Sequence, residues 1–293
     1  MRGLVFSFSL AKYAGGCGGR SPPRVASAQA EAKSSQRMPL DREPLCTLSR
    51  SPMTESPETP DTVPPAPQPE WRNFYGRRSG KTMRASQKTY ISEDLASLTP
   101  GGISKEDNPG REILDPGTIF GKDAPLWLEV GFGGGEHMVH MAARNPGVNI
   151  LGCEPFINGV AMLLGKIRAA GVSNVAIWPG DVRDVMEVLP EGCIAKAFLN
   201  YPDPWHKRRH HRRRFVTPGY LGALFRILAP GAEFRVATDI PNYMEQALIE
   251  APKAGFALIA HQATPWDDWL STRYEQKALR EGRVPDYATF RKP

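Results

Sequence analysis

The chain has 293 residues, of which 41% are hydrophobic and 23% are charged, as in an ordinary globular protein. No apolar run approaches the roughly eighteen residues that a membrane-spanning helix needs. The formal net charge of +6 favours an anionic partner.

The four cysteines form no C-x-x-C pair, and Cys153 and Cys193 lie in or beside predicted strands. We expect these two to be buried thiols rather than disulfide partners, which suits a reducing cytoplasm. The sequence therefore predicts a cytoplasmic protein without a membrane segment. The oligomeric state is left open, with a monomer favoured.

Residues 1–69 are predicted to be a disordered leader and linker. The part from 51 to 69 contains seven prolines and almost no large apolar side chains, so it cannot bury enough surface to order itself. Residues 1–19 resemble a weak signal peptide, but serines interrupt their apolar stretch and the proline-rich linker follows it. An alternative is that Met53 is the true start.

Residues 70–124 are predicted to be a basic aromatic arm and lead-in. Trp71, Phe74 and Tyr75 stand among six Lys and Arg residues between 72 and 88. Aromatic residues interleaved with cations suit an arm that stacks on bases and contacts phosphates. A solvated linker is the alternative, and the sequence does not decide between them.

From residue 125 onward, strand-like and helix-like segments alternate, which predicts an α/β, doubly wound and mostly parallel sheet. The predicted strands are 126–130, 148–153, 175–178, 195–199, 232–238 and 256–260. Apolar residues recur at helical spacing in 136–145, 157–167, 220–228 and 242–250.

A glycine-rich loop, Glu129 to Gly135, leaves the first predicted strand and opens the first of these helices. Glycines such as Gly131 and Gly133 let the backbone turn sharply and pass close to a ligand. Glu154 ends the second strand, where an acid would bind ribose hydroxyls, and Asp181 follows the third.

Two ligands fit a glycine loop followed by two acids: a dinucleotide and S-adenosylmethionine. A pyrophosphate prefers a helix N-terminus free of negative charge, whereas Glu129 and Glu136 flank these glycines. S-adenosylmethionine carries no phosphate, so we favour it. The dinucleotide would instead indicate a nicotinamide-linked dehydrogenase.

The segment N-Y-P-D-P-W at 200–205 follows the fourth strand and places Asp203 between two prolines, which restrict its backbone. Open α/β sheets place ligands at this end of their strands, so Asp203 is the candidate catalytic residue. Residues 206–214 add six Lys and Arg and three His, a run typical of nucleic-acid binding. A solvated charged loop is the alternative. The surrounding arginines argue against a metal site at the histidines.

Together these motifs resemble those of the bacterial tRNA (guanine-N7-)-methyltransferases, which are class I S-adenosylmethionine-dependent enzymes. The matching motifs are Glu129 to Gly135, Gly152-Cys153-Glu154, Pro202 to Arg213, Thr238-Asp239 and Thr272 to Glu275. The resemblance covers about 125–293, more loosely 70–124, and nothing before Met53. Ala278 and the tail after Arg283 depart from the family pattern.

The resemblance implies a Rossmann-like, seven-stranded methyltransferase domain at 125–293 that methylates N7 of guanosine 46 in the tRNA variable loop. It implies cofactor contacts at Glu129, Gly131, Gly133, Glu154, Asp181 and Asp203, with Asp203 also catalytic. It implies substrate contacts at Lys207, Asp239, Thr272, Arg273, Tyr274 and Glu275. RNA contacts are implied at Arg209, His210, His211, Arg212, Arg213 and Arg214.

The alternative from another class is a non-catalytic RNA-binding protein that keeps this fold. Such a protein is expected to have a damaged glycine loop or to lack the acid of the P-D-P turn. Both features are intact in this sequence.

Overall fold

The computed structural model describes residues 74–293, so the predicted disordered leader and linker at 1–69 lie outside the described residues. In residues 74–293 the strands are β1 (Leu126–Val130), β2 (Asn149–Cys153), β3 (Val175–Trp178), β4 (Ile194–Asn200), β5 (Leu228–Thr238), β6 (Ala257–Gln262) and β7 (Asp286–Arg291). They form one sheet in the order β3-β2-β1-β4-β5-β7-β6. Strands β1 to β5 pair in parallel, whereas β7 is antiparallel to β5 and β6. The predicted seven-stranded, doubly wound sheet is confirmed.

Helices connect and cover these strands. They are α1 (Ala85–Leu98), α2 (Pro116–Phe120), α3 (Glu136–Arg144), α4 (Ile157–Ala170), α5 (Val182–Val188), α6 (Pro218–Ile227), α7 (Pro241–Lys253) and α8 (Arg273–Arg280), with a short 3₁₀ helix at Arg208–Arg213. Prolines at the first turns of α6 and α7 suit positions where the backbone N–H has no partner within the helix. Among the described residues, none of the helices combines the length and apolar character needed to cross a membrane.

The two faces of the sheet are both covered, because successive side chains of a strand point to opposite faces. Leu128 of β1 packs in the cluster that includes α5, α6 and α7, whereas its neighbour Trp127 packs in the cluster with α3 and α4. In the same way, Leu151 of β2 packs in the first cluster and Ile150 packs in the second. Parallel strands buried on both faces explain why the predicted strands appear as almost continuous apolar runs.

Helix α1 lies within the segment 70–124 that the sequence predicts as an arm and lead-in. Its apolar side chains pack on the α3–α4 side of the sheet, and Asp94 forms an ion pair with Arg168 of α4 at 2.5 Å. Ordered packing therefore begins before residue 125. The division into an arm at 70–124 and a methyltransferase domain at 125–293 stays a prediction.

Asn174 ties the end of α3 to the start of β2. Its side chain is buried, and Nδ2 donates to the carbonyl oxygens of Ala142 (3.2 Å), Asn145 (3.1 Å) and Val148 (2.7 Å). The two N–H groups of one amide are thus shared among three carbonyls at the point where the chain reverses direction.

We expect Asn174→Ala to lower the free energy of unfolding by about 2 kcal/mol, because the carbonyls of Ala142 and Val148 would lose this side-chain donor. Urea denaturation followed by circular dichroism measures this change. The control is Ser97→Ala, which removes an exposed hydroxyl bonded to the Asp94 carbonyl and should change stability by less than about 0.5 kcal/mol. Equal effects of the two substitutions would contradict the role assigned to Asn174.

Candidate active site

The carboxyl ends of β1, β2, β3 and β4 surround an open cavity of about 520 Å³. Its wall contains eight of the predicted site residues: Gly131, Gly133, Glu154, Asp181, Asp203, Arg213, Arg214 and Tyr274. This is the edge at which parallel α/β sheets bind their ligands. The fold therefore brings together residues that are up to 143 positions apart — from Gly131 to Tyr274 — around one space.

The glycine loop after β1 needs its glycines for conformation and for space. Gly133 has a φ of 57°, and a β-carbon there would lie 2.8 Å from the Tyr274 ring. Its N–H donates to Oε2 of Glu154 at 2.7 Å, which joins the loop to the end of β2. A side chain at this position would be strained and would displace the α8 segment from the loop.

Glu154 is a buried carboxylate held by backbone donors. Besides Gly133, the N–H of Phe156 donates to its Oε1 at 2.9 Å. Burial raises the pKa of Glu154 to about 7, the two N–H donors partly offset this rise, and nearby Asp203 adds to it. Both charge states of Glu154 are therefore accessible near neutral pH.

Asp181 caps the N-terminus of α5 and accepts a hydrogen bond from the Arg183 N–H at 3.0 Å. Its other oxygen forms an ion pair with the Arg183 guanidinium at 2.5 Å. These contacts fix the direction of the Asp181 carboxylate in the cavity wall.

Glu129, predicted to contact the cofactor, lies beneath the loop and is not part of the cavity wall. It is 2% exposed, and its Oε2 lies 2.8 Å from Nδ1 of His137. The His137 ring packs against Phe198 and Trp269 at centroid distances of 4.8 and 5.2 Å. No motif indicated this pairing, which depends on the first turn of α3 facing the end of β1.

Asp203 lies in a turn whose backbone is strained at both ends. Tyr201 and Trp205 have φ values of 48° and 43°, which non-glycine residues rarely adopt. Each such residue costs on the order of 1–3 kcal/mol and persists only where surrounding contacts impose it. Asp203 faces the solvent, but the surrounding protein limits its hydration and raises the pKa of its carboxyl, while Arg77 lowers it.

Residues 74–77, part of the predicted arm, form one side of the cavity. The Arg213 guanidinium lies between the rings of Tyr75 and Trp205, at 4.3 and 4.9 Å from their centroids. The segment is also tied to α4, since the Arg78 carbonyl accepts from the Ile157 N–H at 3.0 Å. The sequence indicated a role for these aromatics and cations on RNA but did not place Tyr75 or Arg77 at the cavity.

The predicted RNA-binding residues occupy different environments. Lys207, Arg209 and Arg212 are exposed. Desolvation and neighbouring arginines lower the pKa values of His210 and His211, which favours the neutral imidazoles. Arg214, by contrast, is 1% exposed, and its guanidinium is hydrogen-bonded within the protein. These bonds give no support to the predicted contact between Arg214 and RNA.

The remaining predicted substrate residues lie in two separate parts of the structure. Asp239 lines a separate cavity of about 380 Å³ and pairs with Nε of Arg283 at 2.7 Å. Thr272 caps α8, Arg273 binds Glu136 at 2.9 Å, and Glu275 is buried against Trp269 and Tyr287. Of residues 272–275, only Tyr274 reaches the wall of the larger cavity.

Comparison with known proteins shows which chains this one is similar to. A family profile described as "Putative methyltransferase" matches residues 123–285. The tRNA (guanine-N(7)-)-methyltransferase of Cereibacter sphaeroides is 70% identical over 224 residues, covering 76% of this chain and 92% of that protein. The enzyme of the same name from Paracoccus denitrificans is also 70% identical, covering 77% of this chain and 97% of its own length. Among solved structures, the 16S rRNA methyltransferase KamB has a TM-score of 0.49 and 17% identity, covering 62% of this chain and 95% of KamB.

The similarity to the two relatives extends over nearly their whole length, 92% and 97% of those proteins. The chain therefore belongs to the enzyme family that its motifs resemble, the bacterial tRNA (guanine-N7-)-methyltransferases.

Proposed function

We propose that this protein transfers the methyl group of S-adenosylmethionine to N7 of guanosine 46 in the variable loop of tRNA. One observation carries the proposal. A chain 70% identical to a protein named for guanine-N7 methylation of tRNA arranges Glu154, Asp181 and Asp203 around a single cavity beside its glycine loop.

The cavity wall suits S-adenosylmethionine better than a dinucleotide. Glu154 and Asp181 lie beside the glycine loop, where a pyrophosphate would be repelled and ribose hydroxyls would find acceptors. The cations Arg77 and Arg213 lie at the other side, near the Asp203 turn. When bound, S-adenosylmethionine supplies an electrophilic methyl group on a sulfonium.

The protein has little proton chemistry to perform. Guanine N7 carries a lone pair and no proton, so its methylation needs no general base. The residues of the site must instead hold the base in line and exclude water. We propose that Asp203 accepts hydrogen bonds from the N–H edge of guanine and stabilises the positive charge that develops on the purine.

Exposed basic side chains beside the cavity support a tRNA substrate. Lys207, Arg209 and Arg212 offer cations to phosphates, whereas the Nε2 atom of His211 is buried within the protein. We propose the cytoplasm, where tRNA is found, as the location of the enzyme, and a monomer as its assembly.

Methyl transfer from labelled S-adenosylmethionine to unmodified tRNA tests the proposal, with the product nucleoside and its position identified by mass spectrometry. We expect 7-methylguanosine at position 46. Another methylated nucleoside would overturn the assignment to guanine N7 while keeping the donor. Binding of tRNA without any transfer would instead favour the non-catalytic RNA-binding protein.

We expect Asp203→Asn to lower kcat at least about 100-fold, because the substitution removes the charge that stabilises the cationic purine. Single-turnover rates at saturating cofactor and tRNA measure this effect. Asp107→Asn is the matched control, since Asp107 is exposed in a loop outside the cavity wall and should keep full turnover. Full turnover by the Asp203 variant would exclude Asp203 both as a positioning group and as a proton acceptor.

We expect S-adenosylmethionine to bind more weakly below pH 7. The raised pKa of Glu154 means that its carboxylate is ionised above about pH 7 and protonated below it, and the ionised form is the better acceptor for ribose hydroxyls. The Kd measured by calorimetry without tRNA should rise by up to about tenfold from pH 8 to pH 6. Glu154→Gln should bind weakly at both pH values, so an unchanged pH dependence in that variant would contradict the assignment.

A further inference from the structure

We propose that Arg214 is a positioning residue for Asp203 and not an RNA contact: its buried guanidinium fastens the turn 201–205 to helix α7. The proposal rests on the function proposed above, because Asp203 is the group that the turn carries. It separates Arg214 from the exposed arginines that precede it in the same basic run.

Five hydrogen bonds hold the Arg214 guanidinium. Nε and Nη2 both donate to the carbonyl oxygen of Pro204, at 3.0 and 2.7 Å. Nη2 also donates to Oδ1 of Asn242 at 2.7 Å, and Nη1 to the Asn242 carbonyl at 2.9 Å. Nη1 makes a further bond to Oε1 of Gln246 at 3.1 Å. A guanidinium has five N–H groups, so the protein itself accounts for the donors that a phosphate would need.

The Pro204 carbonyl is a useful point of attachment because it follows Asp203 directly. The other end of the turn is held by the Tyr201 N–H, which donates to the Ala237 carbonyl of β5 at 2.8 Å. Between these two attachments lies Asp203, and the strained φ values of Tyr201 and Trp205 flank it. A strained turn relaxes when its outside contacts are removed. Loss of the hydrogen bonds from the Arg214 guanidinium should therefore displace Asp203 without changing the Asp203 carboxyl group itself.

The geometry requires arginine rather than any cation. Two N–H groups of one planar fork converge on Pro204 while the remaining groups reach α7. An ammonium is a compact donor on a flexible stem and cannot reach both partners in a fixed orientation. Lysine keeps the charge of Arg214 and loses the fork, which makes Arg214→Lys the informative substitution.

We expect Arg214→Lys to lower kcat by about 10- to 100-fold at saturating tRNA, the size of effect that misplacing a reacting group produces. The Kd for tRNA and the dependence of log Kd on log salt concentration should stay as in the wild type. As a comparison, Arg209→Met, at a proposed phosphate contact, should reduce the salt slope by about one. Hydrogen exchange of amides in 201–207 should be faster in Arg214→Lys.

The matched control is Arg226→Lys. Arg226 also uses its guanidinium to bind two backbone carbonyls, those of Leu189 and Met186, but it lies outside the cavity wall. The Arg226→Lys variant should lose thermal stability and keep its kcat. This result would distinguish misplacement of Asp203 from a general loss of stability. Equal kcat losses in the two variants would overturn the proposal. Full kcat with a reduced salt slope in Arg214→Lys would assign Arg214 to the RNA instead.

A second variant keeps the proposal testable if Arg214→Lys does not fold. Gln246→Leu removes one acceptor of the fork from α7, outside the cavity wall. We expect a several-fold fall in kcat with an unchanged Kd for tRNA, because Gln246 is one of the acceptors that hold the Arg214 guanidinium. Unchanged kcat in Gln246→Leu would overturn the proposal. If the wild type transfers no methyl group, the proposed function fails, whereas hydrogen exchange of the turn still decides whether Arg214 fastens it.

Discussion

The parallel pairing of β1 with β2 and β4 determines where the candidate site lies. Val130 at the end of β1 stands opposite Cys153 of β2 and Leu199 of β4. Because these strands end at the same level, the residues that follow each of them meet at one edge of the sheet. A slip of one residue in any pair would move its buried side chains to the opposite face, so the core that fixes the register also fixes the site.

Carboxylates close together at one edge of the sheet are electrostatically unfavourable. In this structure each acid has a different partner that stabilises it. Glu154 receives two backbone N–H donors, Asp181 pairs with Arg183, and Glu129 lies against His137 below the cavity. Burial is the main cause of the raised pKa of Glu154, and the nearby Asp203 and Glu129 add to the rise, so its two backbone donors offset the cost only in part. A pocket with this residual negative character is compatible with a cationic ligand bearing hydroxyls, and unfavourable for a phosphate.

The sequence predicted the elements that are strongly apolar and regularly spaced, and missed those that are not. The runs of β1 to β4 and the glycine loop are local signals, so their positions were confirmed within one or two residues. Strand β7 escaped detection in the periodic pattern, although the family resemblance implied a seventh strand, because Asp286–Arg291 has charged residues at both ends. Helix α1 has a polar sequence, and its few apolar side chains become informative only when α4 is placed against them.

The side-chain roles were harder to predict than the elements, and Glu275 illustrates the reason. The motif at 272–275 indicated a substrate contact, but the structure buries Glu275 against Trp269 Nε1 and the Tyr287 hydroxyl. Those partners lie on either side of α8 in the sequence, one in the loop before it and one in β7. A motif records which residue types occur together, whereas burial depends on elements that pack from elsewhere in the chain.

The basic residues between 208 and 214 are similar in type but lie in different environments. Its residues 208–213 form a 3₁₀ helix, in which side chains three positions apart share a face. Arg209 and Arg212 are both exposed, while His210 and Arg213 both contact Trp205. Arg214, one residue further on, turns into the interior towards α7. Because side chains three positions apart share a face, the basic run has two faces. The outer face is open to a polyanion, and the inner face packs on the Asp203 turn. Both faces belong to one short helix, so the backbone that presents the outer cations also carries the side chains that pack on the Asp203 turn.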